Sequence, residues 1–123
     1  MLIREAIDRI DSLKHNTFTQ GEKVEWLSRL DGLVKAQVID THEGGEDVAF
    51  MPYTERDDME TKLLVPAPFD NVYVLWLEAQ IDYYNGEMAR YNNSMTMFNT
   101  AYENYQRWYN RTHLPIGKPF RFF

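Results

Sequence analysis

The stretch from Phe69 to Asn85 constrains the fold of this chain most, because its apolar residues cover almost the whole circumference of a helix. At about 100° per residue, four of its six polar side chains fall within a stripe of about 60°. That stripe consists of Asn71, Glu78, Asp82 and Asn85. A helix that is apolar on most sides must be covered by several neighbours. We therefore expect a buried central helix around which the other segments pack.

Both ends of the central helix are marked in the sequence. Pro66-Ala67-Pro68 supplies a fixed φ and a missing donor for the first helical turn, and Asp70 suits the positive end of the helix dipole. Asn85-Gly86 predicts a left-handed stop, unless Gly86 lies inside a longer, kinked helix.

Two amphipathic helices are predicted before it. The first covers residues 2–14, with one apolar face formed by Leu2, Ile3, Ala6, Ile7, Ile10 and Leu13. Thr19 and Glu22 have the spacing of a capping box that opens a second helix, to about Thr41. This second helix has two apolar faces, formed by Val24, Leu27, Val34 and Val38 and by Trp26, Leu30 and Leu33. Gly32 in its middle either allows a close helix crossing or has no packing role.

From His42 to Pro66 the helical period is lost, and we call residues 46–65 of this stretch the middle segment. Two β-like runs, Val48–Met51 and Lys62–Val65, flank an acidic link at residues 55–58 and predict a β-hairpin or a pair of extended arms. Pro52 confines its strand to an edge or an end. Such an edge is either capped or able to accept a strand from another chain.

The most regular pattern in the chain is a heptad seam beyond Gly86. It consists of Met88, Tyr91, Met95, Phe98, Tyr102, Tyr105, Tyr109 and Thr112. The seam predicts a long helix antiparallel to the central one. Because a buried tyrosine hydroxyl needs a partner and tyrosine is common at interfaces, the seam is either core or partly an intersubunit contact. The candidate interface residues on this helix are Tyr102, Tyr105, Trp108 and Tyr109, and the outer face, with Asn92, Asn93, Asn99, Asn104 and Asn110, is either solvated or a wet contact surface.

The last stretch, residues 114–123, cannot continue the helix because it contains Pro115, Gly117 and Pro119. Its aromatic residues suit an extended arm that docks on a surface. The candidate contact residues are Phe120, Arg121, Phe122 and Phe123. The arm folds back on its own domain or docks on a neighbouring subunit or partner. We thus expect one helical domain over residues 1–113, mostly α with four helices and the hairpin insertion, followed by the arm.

Composition narrows the function further. The chain has 123 residues, a net charge of −6 and no cysteine, which indicates one folded domain without a disulfide framework. The acidic balance argues against a basic nucleic-acid face and against an anionic membrane partner. No apolar run is long enough to span a membrane, and the N-terminal stretch is too charged for a signal peptide. We expect a soluble protein that stays in the cytoplasm where it is made.

Residues capable of catalysis or metal binding do not form a recognised pattern. A cluster after the second helix offers hard oxygen ligands and one imidazole: Asp40, His42, Glu43, Glu46 and Asp47. Its spacing matches no known ligand loop, and phosphate-binding glycine loops and nucleophile elbows are absent from the sequence. We therefore expect a protein that is not an enzyme and that has no cofactor and no metal site.

One long segment has a family resemblance. The sequence LLVPAPFDNVYVLWLEAQIDYYNGEMARYNNSMTMFNTAYENYQRWYNRTHLP, from Leu63 to Pro115, resembles the head-to-tail connector, or adaptor, proteins of tailed bacteriophages and prophages of Gram-positive bacteria. The resemblance implies a structural protein of the virion neck. In that family a small helical domain forms a ring under the portal of the filled head, extends the DNA channel and offers a platform for the next neck protein.

The resemblance also implies partners. They are the portal protein, a following neck, stopper or tail protein, and other copies of the chain in a ring, with residues 114–123 reaching toward the portal or a neighbour. DNA would pass through without specific binding, which suits an acidic protein. The alternative from the residues themselves is a small acidic regulatory or inhibitory module that binds a host protein.

Overall fold

The computed structural model describes residues 1–117 and is mostly helical, as the sequence predicts. It contains α1 (Ile3–Leu13), α2 (Gln20–Val34), α3 (Asn71–Tyr84) and α4 (Met88–Thr112). A π-helical turn, Lys35–Ile39, continues α2, and a short 3-10 turn covers Gly45–Asp47. The predicted contact residues Phe120, Arg121, Phe122 and Phe123 lie outside the described part of the chain.

Helix α3 lies at the centre and contacts α1, α2 and α4. This is the position that its nearly continuous apolar surface requires. Val72, Tyr73, Leu77 and Ile81 are fully buried there. Tyr83, in the last turn, is instead 48% exposed, although its ring contacts Tyr91 of α4.

The helix boundaries follow local signals, with one correction. At the start of α2, Glu22 N–H donates to Thr19 Oγ1 over 3.1 Å and Thr19 N–H donates to Glu22 Oε1 over 2.8 Å, which completes the capping box. Gly86 has φ 75°, the left-handed conformation expected for a stop after α3. The two prolines, however, precede the helix rather than forming its first turn, since α3 begins at Asn71 with Asp70 as its N-cap residue.

Helices α3 and α4 form an antiparallel hairpin around the Gly86 turn. Trp76 contacts Phe98 with ring centroids 5.1 Å apart, and Tyr83 contacts Tyr91 at 5.2 Å. Phe69, before α3, lies 5.2 Å from Trp108. Residues near the start of α3 thus contact the end of α4, and residues near the end of α3 contact the start of α4. The two helices are therefore antiparallel.

The β-hairpin predicted for residues 46–65 is not found in the described structure. Lys62 forms an isolated bridge with Leu2, and Leu63 N–H donates to Met1 O over 2.9 Å. The second run therefore pairs with the N-terminus, and no ladder joins it to Val48–Met51. A β-like pattern indicates an extended backbone, but it does not choose the partner strand.

Gly32 does not mark a helix crossing. A side-chain carbon built at this position would meet the ring of Phe50 at 3.8 Å, an ordinary contact with the middle segment. The middle segment thus lies over α2, and Phe50 covers the position where a side chain is missing.

Candidate functional site

The seam of α4 faces the core of its own chain over most of its length. Tyr105 is 1% exposed and Tyr109 is 8% exposed, whereas Tyr102 and Trp108 are half-buried. Rings of neighbouring seam residues stack along the helix, with Phe98 and Tyr102 centroids 5.5 Å apart. Of the four candidate interface residues on α4, only Tyr102 and Trp108 therefore retain accessible surface.

The hydroxyl groups of this seam are poorly solvated. Burial raises the pKa of Tyr102, Tyr105 and Tyr109 above the ordinary tyrosine value. Within residues 1–117 the buried hydroxyl of Tyr102 has no hydrogen-bond partner. The Tyr102 hydroxyl therefore adds no hydrogen bond within these residues, and the side chain acts through the packing of its ring.

The outer face of α4 is exposed along most of its length, and its last amide side chain, Asn110, contacts His42. Its amide side chains are all exposed: Asn92, Asn93, Asn99, Asn104 and Asn110. The helix has 25 residues, so this face is about 37 Å long. Charged residues on α4 are few, namely Arg90, Glu103, Arg107 and Arg111. These four side chains are exposed on the same side of the helix as the amides, so the face is long and hydrated and has three arginines and one glutamate.

The chain after α4 is fastened to the loop after α2. Glu43 N–H donates to Leu114 O over 2.7 Å, Ile116 N–H donates to Thr41 O over 3.0 Å, and Pro115 bridges His42. These backbone contacts hold residues 114–116 against the loop after α2. They include Pro115 and Ile116, which the sequence reasoning assigned to the arm.

His42 lies beneath this junction and is buried. Its Nδ1 is 2.6 Å from Val38 O, and its Nε2 is 2.8 Å from Oδ1 of Asn110 on α4. The ring of Tyr109 meets it edge-on at 4.8 Å. His42 thus joins the end of α2 to the end of α4, and both ring nitrogens are engaged within the protein.

The other members of the acidic cluster do not converge on His42. Asp40 pairs with Lys35, which also donates to Gly45 O over 2.8 Å. Among residues 1–117, no group of three His, Cys, Asp or Glu side chains is placed to hold a metal ion. A polar cleft of about 310 Å³ opens beside His42. Its lining is Gln37, Val38, Thr41, His42, Glu103, Gln106, Arg107 and Asn110.

A buried carboxylate that the sequence reasoning did not single out organises the core. Asp31 on α2 is 0% exposed and accepts hydrogen bonds from Tyr53 Oη over 2.5 Å and from Tyr73 Oη over 2.6 Å. Its Oδ2 also accepts Leu64 N–H over 3.0 Å. One side chain therefore ties α2 to α3 and to both ends of the middle segment.

Desolvation has the largest effect on Asp31. It raises the pKa of this carboxyl group above its ordinary 3.8, against hydrogen bonds from Tyr53, Tyr73 and Leu64 that lower it. A sequence signal for this residue exists, because Asp31 continues the apolar spacing of Val24, Leu27 and Val34 on α2. An acidic residue at an apolar position of a helix indicates a buried carboxyl group that needs hydrogen-bond donors around it.

The middle segment also forms an open groove, which we call the loop groove. It has a volume of about 370 Å³ and is lined by residues 49–54, 57–58, 61–62 and 64. Apolar side chains form much of it: Ala49, Phe50, Met51, Pro52 and Leu64. Asp57 and Asp58 also line it, and Met51 is 79% exposed. The loop groove is thus apolar with acidic residues along one part.

No helix within residues 1–117 combines the length and the apolar character that crossing a membrane requires. Comparisons of this chain with models of protein families, with curated proteins and with solved structures find no match. Its function is therefore inferred from its residues and their arrangement.

Proposed function

We propose that this chain is a structural protein of a bacteriophage neck, which forms a ring under the portal and joins the DNA-filled head to the tail. The proposal begins from the resemblance of residues 63–115 to head-to-tail connector proteins. That segment corresponds to the α3–α4 hairpin and the turn before it. The role is that of a non-enzymatic connector whose partners are other copies of itself, the portal protein and the next neck or tail protein.

The observation that carries the proposal is the construction of α4. One face of the helix is packed on α3 through Phe98, Tyr105 and Tyr109, while the opposite face is exposed and rich in asparagine. This polar surface, about 37 Å long, is large enough to lie against a neighbouring subunit.

The point where the C-terminal arm leaves the body supports an assembly role as well. Backbone hydrogen bonds at Glu43 and Ile116 fasten the chain beside the end of α4. Residues 118–123 then carry three phenylalanines and two basic residues. An aromatic, basic arm held at a fixed point suits docking on an acidic neighbouring subunit or on the portal.

Binding to heads tests the proposal directly. The purified protein is mixed with DNA-filled, tail-less heads of the phage that encodes it, and co-sedimentation and retention of packaged DNA are measured. Saturable binding at a single vertex is expected of a connector. Absence of binding, with heads that accept tails from a complete lysate, would refute the connector function.

An arm deletion locates the contact. Deletion of residues 118–123 keeps the backbone contacts of residues 114–116, so the body should remain folded while head binding or head completion is lost. Unchanged head completion by this variant would exclude a role of the arm in assembly.

One observation favours the second candidate, a small acidic module that binds a host protein. Of the 19 acidic residues, only Glu103 follows residue 87, so the negative charge is concentrated in the first three helices and the middle segment. A connector gene is expected beside the capsid and portal genes, whereas a gene for a host-directed binder is expected elsewhere.

A further inference from the structure

The middle segment presents a stretch of backbone, outside any helix or strand, with unused hydrogen-bonding groups. In the described part of the chain, no hydrogen bond is donated by the backbone N–H of Ala49, Phe50 or Met51. Met51 is 79% exposed, and the loop groove lies alongside. Backbone groups without partners next to an apolar groove can accept the hydrogen bonds of an added peptide strand.

The composition of residues 118–123 matches this groove. In an extended strand Phe120 and Phe122 point to one side and Arg121 to the other. The segment has two basic and no acidic residues, while the groove lining has two acidic residues, Asp57 and Asp58, and one basic residue, Lys62. Apolar contacts and charge are therefore complementary between the two segments.

The groove is also within reach of the segment in the same chain. Residues 118–123 follow an anchor in which Ile116 N–H bonds Thr41 O over 3.0 Å. Phe50 covers Gly32, which lies about 13 Å back along the helical stretch from Thr41. Extended, residues 118–123 span about 20 Å.

We propose that residues 118–123 bind as an added strand in the loop groove of their own chain, with Phe120 and Phe122 against its apolar lining. The short connection gives the segment a millimolar effective concentration at the groove. Even weak intrinsic binding therefore keeps the groove occupied. This inference does not rest on the connector function. In a ring, an arm that leaves its own groove for a neighbour would open that groove to another arm, as in a domain swap.

The first test uses a chain that lacks residues 118–123 and a labelled peptide, LPIGKPFRFF, equal to residues 114–123. We expect the peptide to bind this shortened chain in fluorescence anisotropy, and Met51→Glu to weaken binding at least tenfold. Met97→Glu is the matched control, since Met97 is 51% exposed on α4 and away from the groove. Absence of binding, or equal weakening by both variants, would overturn the proposal.

The peptide itself tests the strand orientation. A peptide with Phe120→Ser and Phe122→Ser should lose binding at least tenfold, whereas a peptide with Phe123→Ser should bind nearly as well as the original. The reverse order of effects would overturn docking as an added strand. Thermal melts of each protein variant, followed by circular dichroism, ensure that a loss of binding is not a loss of folding.

Binding within one chain is tested with the full-length protein. Because its own segment competes for the groove, the full chain should bind the added peptide about tenfold more weakly than the shortened chain. Equal affinities would overturn docking within the chain. So would concentration-dependent association in sedimentation velocity that disappears in both Met51→Glu and the shortened chain, because the contact would then lie between copies.

Discussion

At the scale of single residues, the tyrosines of this protein differ in what their hydroxyl groups do. Tyr73 donates to Asp31 and accepts Val65 N–H over 2.7 Å. The Tyr102 hydroxyl is buried without a partner among the described residues. The same functional group therefore stabilises the fold at one position and costs stability at the other.

Two substitutions by phenylalanine compare these hydroxyl groups. Tyr73→Phe should lower the free energy of unfolding by about 1–3 kcal/mol, because it leaves Asp31 and the Val65 N–H short of a partner. Tyr102→Phe should leave stability unchanged or raise it by up to about 1 kcal/mol, because no hydrogen bond is lost. Urea unfolding measures both. A destabilised Tyr102→Phe protein would mean that this hydroxyl has a partner.

Asp31 gives stability a pH dependence of a defined sign. Because burial raises its pKa above 3.8, the folded chain holds this proton more tightly than the unfolded chain. Its contribution to stability is therefore complete below the unfolded pKa and declines as the pH rises through the folded pKa.

The comparison with Asp31→Asn isolates this effect. The amide places N–H donors against the donors of Tyr53, Tyr73 and Leu64, so the variant should be about 1–3 kcal/mol less stable at low pH. The difference from the native protein should shrink between about pH 3.5 and pH 7, since only the native protein has the ionisation cost. Urea unfolding at both pH values measures it. A difference that grows with pH would contradict a raised pKa.

At the scale of secondary structure elements, α2 and the loop after it contain two glycines with opposite requirements. A side-chain carbon at Gly32 would lie 3.8 Å from Phe50, in ordinary contact. At Gly45 the added carbon would lie 2.4 Å from Ile39 O, which is a steric clash with the backbone. Gly32 thus lowers the stability of its helix without a packing role. Gly45 is required because the backbone of Ile39 lies too close for any side chain.

Alanine substitutions separate these two roles. Gly32→Ala should stabilise the protein by about 0.5–1 kcal/mol, because alanine has the higher helix propensity and its methyl group fits at an ordinary contact distance from Phe50. Gly45→Ala should destabilise it by about 1–3 kcal/mol, because the backbone of Ile39 must move. Thermal or urea unfolding gives both values. A destabilised Gly32→Ala chain would show that Phe50 packs more tightly over α2 than the distance indicates.

At the scale of the whole molecule, one ion pair joins three helices. Lys14, directly after α1, has its Nζ 2.7 Å from Oδ1 of Asp82 on α3, and Ser94 on α4 donates to Asp82 Oδ2 over 2.8 Å. Among residues 1–117, Oδ1 of Asp82 accepts no well-aligned hydrogen bond, so the ammonium charge of Lys14 compensates its charge. Asp82 is 1% exposed, and its charge depends on Lys14.

Removal of the lysine should therefore cost more than a surface ion pair. Lys14→Met leaves a buried carboxylate without a counter-charge and should destabilise the chain by about 3 kcal/mol. Adding Asp82→Asn should restore part of the loss, because the neutral amide can still accept the Ser94 hydrogen bond. A double-mutant cycle in urea measures the coupling. Additive losses would show that Lys14 does not compensate Asp82.

The sequence alone determined the elements of this protein and the surfaces they must bury. Helix propensity, capping residues and apolar period are local properties, so the capping box at Thr19, the stop at Gly86 and the four helices could be predicted from neighbouring residues. The apolar circumference of residues 69–85 likewise predicted a helix that several others would cover.

Only the tertiary structure decided which segments pair, because a partner far away in the chain leaves no local signal. Lys62 and Leu63 bond the N-terminus rather than Val48–Met51, Asp31 collects its donors from α3 and the middle segment, and His42 reaches Asn110. The spacing of Asp31 on α2 indicates that it is buried, but it does not indicate which residues are its partners. Buried polar groups need partners, and these partners come from whichever segments the packed helices bring close.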